Sequence, residues 1–358
     1  MGAWRKIGPA DDTLENEFLK VRINPASGGI VSLIDKRTGR EWIPNGDQAG
    51  VFQYSVEANV GMSAWVIGPF MSQEDLLDGG ALKRVQSGPH LQAFRWSRKM
   101  GASTLDLEIR LRRGVPRVEF RLQVDWREMG SSEGVPNLRV RFPLDVHDPA
   151  PRYEIPFGSI RRDLVHGEEV PALRWADLSE TDGQGVALAN SSKYGFSVDG
   201  NSLSMTVLRA STEPDPLPDM GEHVVEYALE PHGAGWALSD SVGVGEEVNV
   251  PLAPLSCGFH PGELPAAMTA VSVEPANVRL AALKLAQQGR GMILRLYEVE
   301  GRDAEACVTL APGLVADGAS AEQVDMMERS VSENSARIDG HAVSVRVPAH
   351  GVAIVRVG

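Results

Sequence analysis

The sequence predicts an all-β protein built as two domains, on three observations. Hydrophobic residues alternate with polar ones at a period of two along many stretches, turn signals recur at short intervals, and helix signals are scarce. The alternation matters because successive side chains of a strand point to opposite faces, so a period of two marks a strand buried on one side. At 358 residues the chain also exceeds what a single hydrophobic core usually holds, which favours two β domains.

Taken in order, Leu19, Val21 and Ile23 alternate with Lys20, Arg22 and Asn24. Leu105, Leu107, Ile109 and Leu111 alternate with Asp106, Glu108, Arg110 and Arg112. Next, Val118, Phe120, Leu122, Val124 and Trp126 alternate with Glu119, Arg121, Gln123 and Asp125. These last two runs read as a hairpin across Arg113-Gly114-Val115-Pro116. Val343, Val345 and Val347, then Val352, Ile354, Val355 and Val357 beyond Pro348-Ala349-His350-Gly351, close the chain in a strand pair. Ser27-Gly28-Gly29, Asn45-Gly46-Asp47, Asp78-Gly79-Gly80 and Asp199-Gly200-Asn201 are turn signals. Residues 278–288 fit either a helix or, with Val278, Leu280, Ala282 and Lys284 on one side, a strand; the reading leans to strand. Pro251, Pro254, Pro261 and Pro265 mark a boundary, giving domains at 1–258 and 259–358.

Composition narrows the function classes. There are 48 acidic against 35 basic side chains, a net charge of −13, which repels phosphate backbones and anionic lipid, so neither nucleic acid nor a membrane is an expected partner. Cys257 and Cys307 have no spacing that suggests a metal clip and are expected to be buried free thiols. No apolar segment follows the charges of Met1 to Lys6, and no run reaches about 18 apolar residues, so a cytoplasmic location is expected.

A series of motifs follows in a fixed order along the chain. They are Leu14 to Val21 with Gly28 to Glu41, Met62-Ser63-Ala64-Trp65, Tyr153 to Arg162, and Val170 to Ser179. Gly185 to Asn190, Lys193-Tyr194-Gly195-Phe196, Leu208-Arg209-Ala210, Asp219 to His223, Tyr227 to His232, and Arg295-Leu296-Tyr297-Glu298 before Gly301-Arg302 continue the series. In this order they resemble the C-terminal β region of the α-mannosidases of glycoside hydrolase family 38, and the resemblance runs from Leu14 nearly to the end. It implies a large galactose mutarotase-like supersandwich followed by a smaller C-terminal β-sandwich. It also implies participation in retaining α-mannoside hydrolysis through a zinc ion and an Asp nucleophile. Those groups belong to a catalytic α/β domain with an early His-x-Asp. None of the eight histidines here is followed two residues later by an aspartate, so zinc is expected only in that other domain, and this chain alone is expected to be inactive.

Retaining glycosidases need two carboxyls about 5 to 5.5 Å apart, and adjacent pairs such as Glu168-Glu169 and Glu246-Glu247 read as solvated turns. His147-Asp148 reads as a turn. His223 and His232 bracket a strand, about 25 Å apart, too far to share a metal. Glu222, His223 and Glu226 supply the residue types of a mutarotase acid and base. An arginine fork can clamp a sugar or carboxylate. In some family members an Arg of the β region reaches the sugar site, which makes Arg161 and Arg162 substrate-binding candidates, against a surface ion pair. Trp175, Trp65 and Tyr297 can stack on a pyranose or pack a core. The expected partners are an α-mannoside or other carbohydrate and a separate catalytic domain. A stand-alone carbohydrate-binding protein and a mutarotase-type epimerase are the alternatives.

Overall fold

A computed structural model describes residues 12–162, 168–259, 261–263 and 265–358. Strands dominate it. It contains two compact units, the first made of residues 1–154, 161–236 and 244–250, the second of 155–160, 237–243 and 251–358.

In the first unit, a small sheet joins Thr13–Glu15, Leu19–Ile23, Ile30–Asp35 and Arg40–Glu41 in chain order. Leu19, Val21 and Ile23 are buried while Lys20 and Arg22 are exposed, as the alternation requires. The Ser27-Gly28-Gly29 turn is needed for steric reasons. Gly28 has φ +72°, and a Cβ there would meet the Trp96 ring at 2.8 Å, so only glycine fits.

A large antiparallel sheet places Ala150–Ile155 beside Trp175–Ser179, then Gly185–Asn190, Gly221–His232, Val118–Trp126, Ser103–Arg112, Leu91–Met100 and Ala81–Ser87. The hairpin across residues 113–116 is present, with Val118 opposite Leu111 and Val124 opposite Leu105. A further sheet runs Val170–Pro171, Gly195–Asp199, Ser202–Arg209, Val135–Pro143, Val51–Glu57 and Phe70–Asp75. One face of each sheet feeds a common core. Phe120 stacks on Tyr227 with centroids 4.7 Å apart, Phe142 meets Tyr227 edge-on, and Phe52 lies 5.9 Å from Trp96. The hydrophobic burial of these rings is what holds the sheets face to face.

The second unit has two four-stranded sheets. One orders Val271–Glu274, Ala304–Leu310, Ala342–Val347 and Arg337–Asp339; the other orders Val278–Leu285, Met292–Glu298, Val352–Val357 and Ala321–Gln323. Residues 278–285 are thus a strand, and the chain ends in strands as expected. Leu294, Leu296, Ala306, Val308, Val343, Val345, Val347 and Val355 form its core.

Two expectations are corrected. Glu246 and Glu247 are not in a turn but on a helix, Leu238–Asn249. Its Asp240 carboxylate accepts from the Ala237 N–H at 2.8 Å, half of a capping box, while Gly243 and Gly245 lower its intrinsic propensity and hide it from a sequence reading. Neither cysteine is fully buried: Cys257 is exposed and Cys307 half-buried. Cys307 alternates with the buried Ala306 and Val308 on its strand, so the pleat turns it away from the core.

Candidate functional site

The residues singled out in the sequence are dispersed. Arg161 is exposed at the end of the strand Gly158–Arg161. Arg162 lies over the ring of the buried Tyr153, 5.2 Å from its centroid, and burial pushes the Tyr153 phenol up to about 12. Trp175 is fully buried, and a Cβ added to Gly245 would fall only 2.8 Å from its ring; its indole packs and offers no open face to a pyranose. Tyr297, in the second unit, is 6% exposed and meets Phe157 edge-on at 5.5 Å. Trp65 alone among these aromatic rings is largely exposed, at 66%.

The three histidines His147, His223 and His232 are held locally. His147 donates its backbone N–H to Glu180, and Asp148 has a left-handed φ of +46°, a turn as expected. His223 Nε2 donates to the Asp219 carbonyl at 2.6 Å. Glu222 and His223 border a depression of about 280 Å³ with Asp106 and Asp125, and Glu226 faces Arg121 at 3.5 Å. Glu222, His223 and Glu226 therefore lie on one strand, with His223 and Glu226 held by different groups. His232, at the other end of the strand, sits 3.0 Å from Asp177 Oδ2 and stacks on Trp236 at 4.4 Å. Beside it, Glu230 is buried, and burial pushes its carboxyl up to about 7 although Arg117 lies 3.4 Å away. Glu230 and His232 are both almost wholly shielded from solvent.

The strongest polar constellation lies on the face of the Val135–Pro143 sheet opposite the core. Register places Asn137 opposite Ser55 and Arg209, and Arg139 opposite Gln53, so their side chains share one face. Glu57, with no solvent exposure, takes a two-pronged contact from Arg209: Nε at 2.9 Å to Oε1 and Nη2 at 2.7 Å to Oε2. Asn137 Nδ2 adds a third hydrogen bond at 2.9 Å. The same guanidinium donates to the carbonyls of Ser63 and Val66, fixing the Met62 to Trp65 segment. Next to it, Arg139 donates to Ser197 Oγ and lies 5.2 Å over Phe70; burial pulls its guanidinium down, opposed by Glu169 and Glu57. Arg141 pairs with Asp75 at 2.6 Å.

This arrangement is a clamp. Every oxygen of Glu57 is committed to a donor, so it is a poor nucleophile or base, and its geometry orders a loop. Sequence reasoning picked out Arg209 without a role and missed Glu57, Asn137 and Arg139. The available signal was Arg139 and Arg141 alternating with Leu138, Val140 and Phe142. A separate open cleft of about 750 Å³ is lined by Arg22, Glu41, Asn45, Asp47, Gln48 and Asp145. Such groups can hydrogen-bond sugar hydroxyls, though Glu41 is already held by Ser32 and the Leu33 and Ile43 N–H groups. Among the described residues, no three His, Cys, Asp or Glu side chains stand together as a metal site. No helix among them is long and apolar enough to cross a membrane.

The profile for the "Glycosyl hydrolases family 38 C-terminal domain" matches residues 14–217, and that for the "Glycosyl hydrolases family 38 C-terminal beta sandwich domain" matches residues 277–355. This chain belongs to the C-terminal region of glycosyl hydrolase family 38. Among similar proteins, alpha-mannosidase 2C1 of Mus musculus is 34% identical over 304 residues, which is 81% of this chain and 28% of that one. The Homo sapiens alpha-mannosidase 2C1 is 32% identical over 314 residues, covering 84% and 29%. The family 38 region here thus spans less than a third of the length of the curated relatives it matches. An alpha-mannosidase from Enterococcus faecalis V583 shares the fold with a TM-score of 0.78 at 12% identity, over 98% of this chain and 42% of that structure.

Proposed function

We propose that this chain is the non-catalytic β region of an α-mannosidase, acting in mannoside metabolism in the cytoplasm together with a zinc-binding catalytic portion, whether on the same polypeptide or another. The observation that carries this reading is the pair of profile matches to the family's C-terminal domains in a chain that covers 28% of its mouse relative. The absence of a His-x-Asp from the sequence supports assigning zinc, nucleophile and acid/base carboxyl to the other portion. Within this reading the β region supplies a scaffold, and Arg161 or Arg162 supplies at most a contact to the sugar. Fold likeness alone does not license an activity.

The test assays the purified chain on an aryl α-mannoside, with and without zinc, alone and joined to the part of mouse alpha-mannosidase 2C1 outside the match. Hydrolysis should require the joined portion and zinc. Hydrolysis by this chain alone would sink the reading; retention on immobilised mannan without turnover would favour a carbohydrate-binding protein, and faster anomer exchange of a freshly dissolved hexose an epimerase.

A further inference from the structure

One end of the first unit carries apolar side chains held out into solvent by loops that a network of hydrogen bonds ties together. Three loops build it: residues 58–69, 127–134 and 210–217. Asn59 Nδ2 donates to the Ser131 carbonyl at 2.9 Å and to Thr212 Oγ1 at 3.0 Å, tying the three together. Ser63 Oγ accepts the Thr212 and Glu213 N–H groups at 2.8 and 3.1 Å. Glu213 in turn accepts the Met62 N–H on its carboxylate and the Ala64 N–H on its carbonyl. Beneath lies the Glu57–Arg209 clamp, whose guanidinium holds the Ser63 and Val66 carbonyls.

What this framework presents is Val60, Met62, Trp65, Ile67, Met129 and Leu217, with Trp65 66%, Met62 58% and Met129 58% exposed. Isolated exposed apolar residues are ordinary, but a cluster of this size on preorganised loops marks an interaction surface. A glycan site needs free polar groups converging beside the ring. Here Asn59, Ser63, Thr212 and the Glu213 carboxylate are turned to internal hydrogen bonds, which favours a protein partner of apolar surface.

We infer that this loop cluster is the docking surface for the catalytic portion of the α-mannosidase, with Trp65 as its central anchor. The inference rests on the reading proposed above. Its support is the length relation: the related E. faecalis structure carries this same fold as 42% of its chain and the mouse relative matches over 28% of its length, so in those proteins most of the polypeptide lies outside this fold. A rigidly presented tryptophan surrounded by methionines and branched aliphatics has the composition of an interface centre.

The experiment is hydroxyl-radical footprinting of the isolated chain and of a chimera in which this chain replaces the matched region of mouse alpha-mannosidase 2C1. Labelling of Trp65, Met62 and Met129 should fall about tenfold or more in the chimera, while exposed Met268 and Met327 of the second unit serve as references. Trp65→Ser should leave the thermal midpoint of the isolated chain unchanged and restore labelling of Met62 in the chimera; Leu285→Ser is the control. Unchanged labelling in a chimera with zinc-dependent activity overturns the surface and leaves the proposed function standing. A folded but inactive chimera whose loops are protected counts against that function while supporting the surface. If the chimera does not fold, the footprint is taken on the chain mixed with the mouse polypeptide lacking its matched region, and absence of protection there overturns the surface. Protection of the isolated chain by mannan, or by concentration-dependent self-association in sedimentation, overturns it in favour of a glycan or a second copy.

Discussion

Each of the two units buries a glutamate, and the two behave in opposite ways. Glu230, in the first, faces Arg117 at 3.4 Å and feels Glu247, and burial pushes it up to about 7. Glu298, in the second, is also without solvent exposure, and burial pushes it up too. Yet it receives Asn277 Nδ2 at 2.8 Å and the N–H groups of His350, Glu300 and Gly301 at 2.8 to 2.9 Å, which outweigh burial and hold it below its usual range. The lesson is that a nest of fixed amide donors stabilises a buried carboxylate better than one imperfectly placed arginine. It also gives the Arg295-Leu296-Tyr297-Glu298 motif a physical role: Glu298 organises the turn through Gly301 and Arg302 that follows it.

Glu57 should give the largest effect, since it combines a bidentate arginine with an amide. Glu57→Ala leaves the mostly buried Arg209 guanidinium without its carboxylate and is expected to cost about 3 kcal/mol in urea unfolding, with faster hydrogen exchange across residues 58–69. A loss below about 1 kcal/mol would mean that the clamp is solvated. Glu298→Gln should cost about 2–3 kcal/mol at pH 7. Because the folded Glu298 is more acidic than the unfolded one, its contribution is present above the unfolded value and is lost as pH falls through the folded one; the gap between variant and parent should therefore close in acid.

For Glu230 the sign reverses. The folded carboxyl holds its proton more tightly than the unfolded one, so its contribution is full below about pH 4.5 and is lost as pH rises towards about 7. Glu230→Gln should accordingly be more stable than the parent by about 1–2 kcal/mol at pH 8, and similar to it near pH 4.5, when both are followed by thermal unfolding. A variant that is less stable at pH 8 would show that the Arg117 contact dominates. The smallest effect is expected for Arg117→Met, which should move the Glu230 titration up by about one pH unit in carbon-13 NMR.

The strands that were legible are those that bury one face only, whereas Gly185–Asn190, buried on both faces, shows no alternation. Leu105 to Leu111 and Val118 to Trp126 announce themselves by alternation, and the structure pairs them in that register. The helix Leu238–Asn249 was not legible, since two glycines interrupt it and its sequence has no clear apolar stripe. For the candidate site, the motifs indicated which segments matter without indicating what they do. Arg209 and Ser63 stand 146 residues apart in the chain, and no local pattern joins them.

The sequence by itself determined the β class, the positions of the most cleanly alternating strands, membership of the family and the lack of the family's His-x-Asp, because periodicity and ordered motifs are local properties. Only the tertiary structure decided that Trp175 is core while Trp65 is exposed, that Glu57, Asn137 and Arg209 form one clamp, and that Glu230 and Glu298 are held in opposite electrostatic environments. Burial, partner geometry and desolvation depend on strands brought together across the sheets, and those long-range neighbours are written nowhere in the spacing of residues along the chain.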